Sequence, residues 1–238
     1  MKTKAIVREE VWEKMMKEKV ARFPFPIKGR IPNFKGAEKA TAHLIQHDLY
    51  KQAKVIKVNP DSPQLPLRAQ ILKDNKILLV PTPRLKAGFI QVKPEWVPSG
   101  EEKKAASLKH ILSYGKEIPL HEIPPIDLMV MGSVAIHPDG RRLGKGEGFA
   151  DREYGILKEL GNKDIPVVTT INSKQLVSDD IPHQTYDVTV DWYVTEEGLF
   201  KSTGQYLKPK GIEWDEVTEE EKHEMPVLEE VWKLLNEK

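Results

Sequence analysis

The spacing of apolar residues switches repeatedly between a helical and an extended period, which predicts helices alternating with strands. Val11, Met15, Met16 and Val20 fall near helical spacing, so residues 8–20 read as an amphipathic first helix. A Pro-punctuated loop over 23–34 follows, then a second helix over 36–50 with Ala37, Ala40, Leu44 and Leu49 on one side. Residues 54–58 read as a short strand and 66–74 as a helix. The run over 76–80 is apolar almost throughout, the mark of a strand buried on both faces. A loop and a charged helix (101–115) come next. Residues 126–136 are the most apolar run and predict a single central strand. A helix over 149–160, a strand over 166–171 and a β-rich stretch over 188–194 follow; a turn at Glu196-Glu197-Gly198 leads to a short strand at 199–203. Pro226 suits a first helical turn, and Leu228, Val231, Trp232 and Leu235 share one face of a closing helix. Strands separated by helices predict an α/β fold with a mainly parallel sheet covered on both sides.

At 238 residues and 39% hydrophobic, the chain can bury one good core. A net charge of +1 argues against non-specific nucleic-acid binding. No apolar run reaches membrane-spanning length, and the N-terminus is charged, so a cytoplasmic location without membrane association is expected. The absence of Cys excludes disulfides, a thiolate nucleophile and Cys-ligated zinc. His43 and His47 lie four apart on one helix face, but no third metal ligand accompanies them.

The candidate chemistry lies between the central strand and the helix after it. Gly140-Arg-Arg-Leu-Gly144-Lys-Gly146-Glu-Gly148-Phe-Ala-Asp151 holds four glycines in nine residues. Glycine lets successive N–H groups converge on an anion, and the following helix aims its N-terminus at the same point. Arg141, Arg142 and Lys145 add positive charge, and Asp151 can reach a magnesium ion that bridges phosphates. The spacing matches neither the Gly-Lys-Ser/Thr phosphate loop nor the Gly-x-Gly-x-x-Gly dinucleotide fingerprint.

The stretch from Ile126 to Arg152 resembles the signature of the 5-formyltetrahydrofolate cyclo-ligase family, a buried strand leading into G-x-R-L-G-x-G-x-G-Y/F-x-D. Lys4-Ala-Ile-Val-Arg8 resembles the family's N-terminal K-x-x-L-R. Gln175-Leu-Val, Tyr186-Asp187-Val-Thr-Val-Asp191 and Val194-Thr195-Glu196 resemble its C-terminal elements. The resemblance covers most of residues 1–200. It implies a three-layer α/β/α sandwich of the NagB/RpiA/CoA-transferase-like kind over 1–205, leaving 206–238 as a C-terminal extension with the closing helix.

The resemblance further implies ATP- and Mg2+-dependent closure of 5-formyltetrahydrofolate to 5,10-methenyltetrahydrofolate, with ADP and phosphate released. Lys4, Arg8, Arg142, Gly144, Lys145, Gly146, Glu147 and Gly148 would hold ATP, with Arg142 and Lys145 catalytic. Asp151 and Asp187 would bind Mg2+. Phe149, Ala150 and Trp96 would meet the substrate, a reduced folate or similar small molecule, in a monomer or homodimer.

Several positions depart from the family pattern. The Gly-Glu-x-x-Thr element after the first strand, whose Glu helps bind folate, is replaced by Asn59-Pro-Asp61-Ser-Pro-Gln64. The second loop tyrosine is Ala150, the position between Gly146 and Gly148 is Glu147, and the late His is Tyr186, with His183 nearby. The pattern is that of a divergent branch that includes methenyltetrahydrofolate synthase domain-containing proteins. It leaves open a paralogue that keeps the ATP pocket for another, thiamine-related, small molecule, or a non-catalytic nucleotide- or RNA-binding module.

Overall fold

The computed structural model describes residues 2–204 and 206–236. Residue 205, the expected boundary of the extension, lies outside the described residues.

Eight strands form the main sheet: β1 (Val55–Val58), β2 (Ile77–Pro81), β3 (Phe89–Val92), β4 (Lys116–Ile118), β5 (Leu128–Met131), β6 (Val167–Thr170), β7 (Trp192–Val194) and β8 (Leu199–Lys201). Their spatial order is β8-β7-β6-β5-β1-β2-β3-β4. The central run from β7 to β2 is parallel; β8 at one edge and β3 and β4 at the other are antiparallel. Because strand side chains alternate between faces, the apolar strands feed two cores. Ile56, Val58, Leu128 and Val130 pack with Val7, Val11, Phe34, Leu44 and Leu67 on one face. Val55, Met129, Met131 and Val167 pack with Tyr154, Ile156, Leu228 and Val231 on the other. The first face is covered by α1 (Lys4–Lys17), α2 (Ala37–Ile45) and α3 (Leu65–Lys73), the second by α4 (Phe149–Glu159) and α5 (Val227–Asn236). The three-layer α/β/α architecture is therefore as expected.

Some local expectations are corrected. The apolar run 126–136 is two elements: β5 ends at Met131, and Ala135–Ile136 pairs antiparallel with Arg142–Leu143 in a separate ribbon. A side chain at Gly132 would bring its Cβ to 2.5 Å from Asp61 Oδ2, so the chain leaves the sheet at a residue that must be small. The helix expected over 36–50 breaks at His47, which caps a second short helix. The charged helix over 101–115 is two single turns, Glu102–Ala105 and Ile111–Tyr114. The flanking strands β3 and β4 carried no clear sequence signal. The first helix begins earlier than predicted: Thr3 caps it at Ile6 N, which puts Lys4 and Arg8 on one helical face within it.

Residues beyond β8 pack against α4. Lys208 Nζ donates to Ile165 O at 2.9 Å, and Ile212 N donates to Glu159 Oε1 at 2.8 Å. Val217, Met225, Val227, Leu228 and Val231 are buried in the second core. In the closing helix Trp232 departs from the expected buried face and is half exposed.

Candidate active site

The ribbon Ala135–Ile136/Arg142–Leu143 delivers the chain to the glycine loop, and the loop ends where α4 begins. Gly148 sits at the helix N-cap with φ +72°, and Gly146 has φ +110°, backbone that other residues adopt only with strain. No side chain caps α4. Among the described residues, the N–H groups of Lys145, Gly146, Glu147 and Gly148 donate to no protein acceptor. Unsatisfied donors and the positive end of a helix dipole thus share one spot, a ready place for an anion.

Two cavities meet there. The more polar, about 480 Å³, is lined by Lys4, Arg8, Gly146, Tyr186 and Asp187 together with the loop. The other, about 440 Å³, is lined by Lys145, Phe149 and Ala150, by Asp61 and Glu153, and by apolar residues including Ile31, Leu85, Ile90 and Ile111. Arg142, Gly144, Glu147, Gly148 and Asp151 line both and form the wall between them.

Arg142 is the centre of that wall. Its side chain is 1% exposed, with Nη1 donating to Gly132 O at 2.8 Å and Nη2 to both Asp151 oxygens at 3.0 Å. Its Nε is buried without a partner. Asp151 also accepts from Val188 N at 2.9 Å. Arg8 Nε donates to Gly144 O at 2.6 Å, which fastens α1 to the loop. Burial and the neighbouring Arg142 charge push the Arg8 guanidinium below its ordinary value. Lys4 Nζ reaches Asp187 Oδ2 at 2.5 Å and also pairs with Gln184. Lys145 Nζ pairs with Glu147 at 2.7 Å at the rim.

Arg141 and Trp96 line neither cavity. Arg141 turns away into Asp139 and Asp180, at 2.9 and 2.6 Å, so it does not add to the loop's charge. Trp96 lies under Lys93 and Lys116, whose Nζ atoms stand 5.4 and 5.0 Å from its ring centroid. His183 leans on Tyr206, with ring centroids 4.6 Å apart, and Nδ1 is 3.9 Å from Asp187 Oδ2.

Other side chains gather unannounced by any motif. Asp61, in the stretch that departs from the family pattern, lines the less polar cavity; Arg68 Nη1 donates to its backbone oxygen, and no protein donor reaches its carboxyl oxygens among the described residues. Burial raises its pKa, against the pull of Lys145, Arg68, Lys57 and Arg142. Beneath it, Lys57 and Glu153 form a buried ion pair, and Lys57 Nζ also donates to Asn59 Oδ1 at 2.6 Å. Lys57 alternates with Ile56 and Val58, so it faces α4, where Glu153 waits. Burial lowers the pKa of Lys57 and raises that of Glu153, each opposed by the partner's charge. The acidic stretch 213–224, which reads as a solvated linker, instead brings Glu216 and Glu221 to the polar cavity.

No group of three or more His, Cys, Asp or Glu side chains stands ready to hold a metal among the described residues. Magnesium commonly binds through one or two carboxylates plus substrate phosphates. Asp151 and Asp187 are both on the polar cavity, where Arg142 and Val188 N engage Asp151 and Lys4 engages Asp187, so a metal would share or displace those partners. No helix among the described residues is long and apolar enough to cross a membrane.

The model of the 5-formyltetrahydrofolate cyclo-ligase family matches residues 2–196. Methenyltetrahydrofolate synthase domain-containing proteins of Bos taurus and Mus musculus are each 39% identical over 236 residues, covering 95% of this chain. The chain spans about three fifths of those relatives, 61% and 62% of their lengths. Among solved structures, the 5,10-methenyltetrahydrofolate synthetase of Aquifex aeolicus matches with TM-score 0.53 at 20% identity, covering 86% of this chain and 96% of its own. The synthetase of Mycoplasma pneumoniae matches with TM-score 0.50 at 15% identity, covering 81% and 98%. At those identities the structural likeness establishes the fold.

Proposed function

Because the chain belongs to the 5-formyltetrahydrofolate cyclo-ligase family, we propose that it is an ATP- and Mg2+-dependent cyclo-ligase that closes 5-formyltetrahydrofolate to 5,10-methenyltetrahydrofolate. The carrying observation is the shared wall: one cavity suited to an anion and one suited to a flat, largely apolar ring abut at Arg142, Gly144 and Gly148. In this reading the polar cavity takes ATP. Lys4, Arg8, Arg142 and the loop amides from Lys145 to Gly148 hold its phosphates. The less polar cavity takes the pterin against Phe149 and Ala150, with Asp61 accepting from its N–H groups.

The chemistry is group transfer by alignment and charge neutralisation, with no protein nucleophile. The formyl oxygen forms a bond to the γ-phosphorus as the bond from that phosphorus to the β-bridging oxygen breaks, releasing ADP. N10 then bonds to the formyl carbon and loses its proton, and the carbon–oxygen bond to phosphate breaks. Arg142 and Lys145 offset the charge that develops on the transferring group. Asp151 and Asp187 would hold Mg2+, which would neutralise phosphate charge. Arg142, fixed by Gly132 O and Asp151, is pre-positioned between the reactants.

The test mixes purified protein with ATP, Mg2+ and 5-formyltetrahydrofolate and follows the methenyl chromophore and ADP together. Equal yields of both support the reading; neither product refutes it. A second reading keeps the ATP side and changes the heterocycle. It is favoured by Asp61 and Ala150, one acid shorter and one aromatic ring fewer than the family pattern. ATP binding with no response to any reduced folate is its expected result.

A further inference from the structure

The polar cavity is lined by charges of both signs from different parts of the chain. Lys4, Arg8 and Arg142 stand with the glycine loop, whereas Glu216 and Glu221 come from the segment after β8, beyond the span of the family model. That segment is fitted closely to α4. A Cβ on Gly155 would lie 3.0 Å from Ile212 Cγ1 and 3.2 Å from Gly211 O, so α4 carries glycine where the two backbones meet. Seven residues separate Gly148 from Gly155, about 10 Å of helix. Arg152 holds Glu221 at 3.0 and 3.2 Å, leaving that carboxylate neutralised. Glu216 has no side-chain partner among the described residues although it lines the cavity.

A ligand that was anionic throughout would be repelled by Glu216. One that is anionic in one part and neutral with hydroxyl donors in another satisfies both the cations and Glu216. We propose that the C-terminal segment builds the sugar end of the nucleotide site, with the Glu216 carboxylate accepting hydrogen bonds from the ribose hydroxyls. The inference rests on the nucleotide reading above and adds selection for a ribonucleotide. A carboxylate accepting from ribose hydroxyls is an established way to read that sugar. Ile212 and Tyr186, which also line the cavity, would supply apolar surface for the nucleoside.

The test is calorimetric titration of the full chain and of Glu216→Gln with ATP, 2′-deoxyATP, 3′-deoxyATP and inorganic tripolyphosphate, in Mg2+ buffer. Glu216 is exposed on a single helical turn, and circular dichroism with a melting curve checks that the variant folds. The full chain should bind ATP roughly tenfold or more tightly than at least one deoxy analogue, the scale of one hydrogen bond to a charged group. Glu216→Gln should shrink that ratio several-fold while tripolyphosphate binds as well or better. Equal affinity for ATP and both deoxy analogues overturns the inference and leaves the nucleotide reading standing, as does a variant that weakens ATP and tripolyphosphate alike. Failure of the full chain to bind any of the four overturns both.

Discussion

Replacing Lys57 by Met removes the cation from a pair that is 0% exposed on Lys57 and 5% on Glu153. Glu153 is then left without its partner, 5% exposed at the wall of the less polar cavity. Breaking one side of a buried pair costs about 3–5 kcal/mol, whereas replacing both sides by apolar groups is often neutral. For a chain of this length that loss corresponds to roughly 6–20 °C in melting temperature. The double variant Lys57→Met/Glu153→Leu should recover most of it, short of about 1 kcal/mol because Asn59 Oδ1 loses its donor. The single variant carries a further signature. Burial raises the pKa of Glu153 above its ordinary 4.5 even with Lys57 present, and without Lys57 it rises further. The native state then binds more protons than the unfolded state between 4.5 and the raised value. Stability falls as pH increases through that window. The Lys57→Met deficit should therefore be smallest near pH 4.5 and full above the raised pKa. Urea denaturation of parent, single and double variants from pH 4.5 to 8 measures this. A deficit that does not change with pH, or a double variant as weak as the single one, would refute the account of the pair.

Two more outcomes follow from the site. Arg142→Met should weaken ATP roughly 10- to 150-fold, the worth of one charged hydrogen bond, as read by titration calorimetry; unchanged affinity would remove Arg142 from the phosphate site. His183 has its pKa lowered by burial, with Lys4 and Arg141 adding to the effect and Asp187 opposing it. The unfolded chain then binds more protons below pH 6.5, so this residue makes stability decline as pH drops from 6.5 toward the lowered value. His183→Asn should flatten that part of the urea-midpoint profile, and an identical profile would contradict it.

The parts of the fold legible in the sequence are those whose cause is local. Leu128–Met131 and Val167–Thr170 are buried on both faces and are apolar at every position but the threonines of the latter, so composition alone marks them as central strands. The glycines and the helix after them announce a loop that can approach an anion. What was not legible depends on partners distant in the chain. The run after Met131 stays apolar, and the nearness of Asp61 and Ile31, both distant in the chain, explains why a glycine at 132 leads the chain out of the sheet. Lys57 in an apolar strand is conspicuous, yet its partner is 96 residues away. Acidic residues in 213–224 look like any solvated run until Gly155 admits Gly211 and Ile212 and the segment is drawn over the cavity. The turn before Phe89 carries Pro83 and Gly88, the latter at φ +79°, yet Arg84 and Leu85 also adopt positive φ there without being glycine, so its full course is not marked by residue type.

Two abutting cavities suit the proposed enzyme better than a simple binding module. A module that only captured an anion would need the loop, the helix end and the cations of α1. It would gain nothing from a second, apolar cavity opening on the opposite side of Arg142. Nor does such a module account for a carboxyl such as Asp61 on the less polar side, where burial raises its pKa. In the proposed reading a ligand in that cavity supplies donors to Asp61 and lies beside the guanidinium of Arg142, which lines both cavities. In the same reading the Arg142–Asp151 pair stands between the two reactants, where two-substrate group transfer would need both sides filled at once.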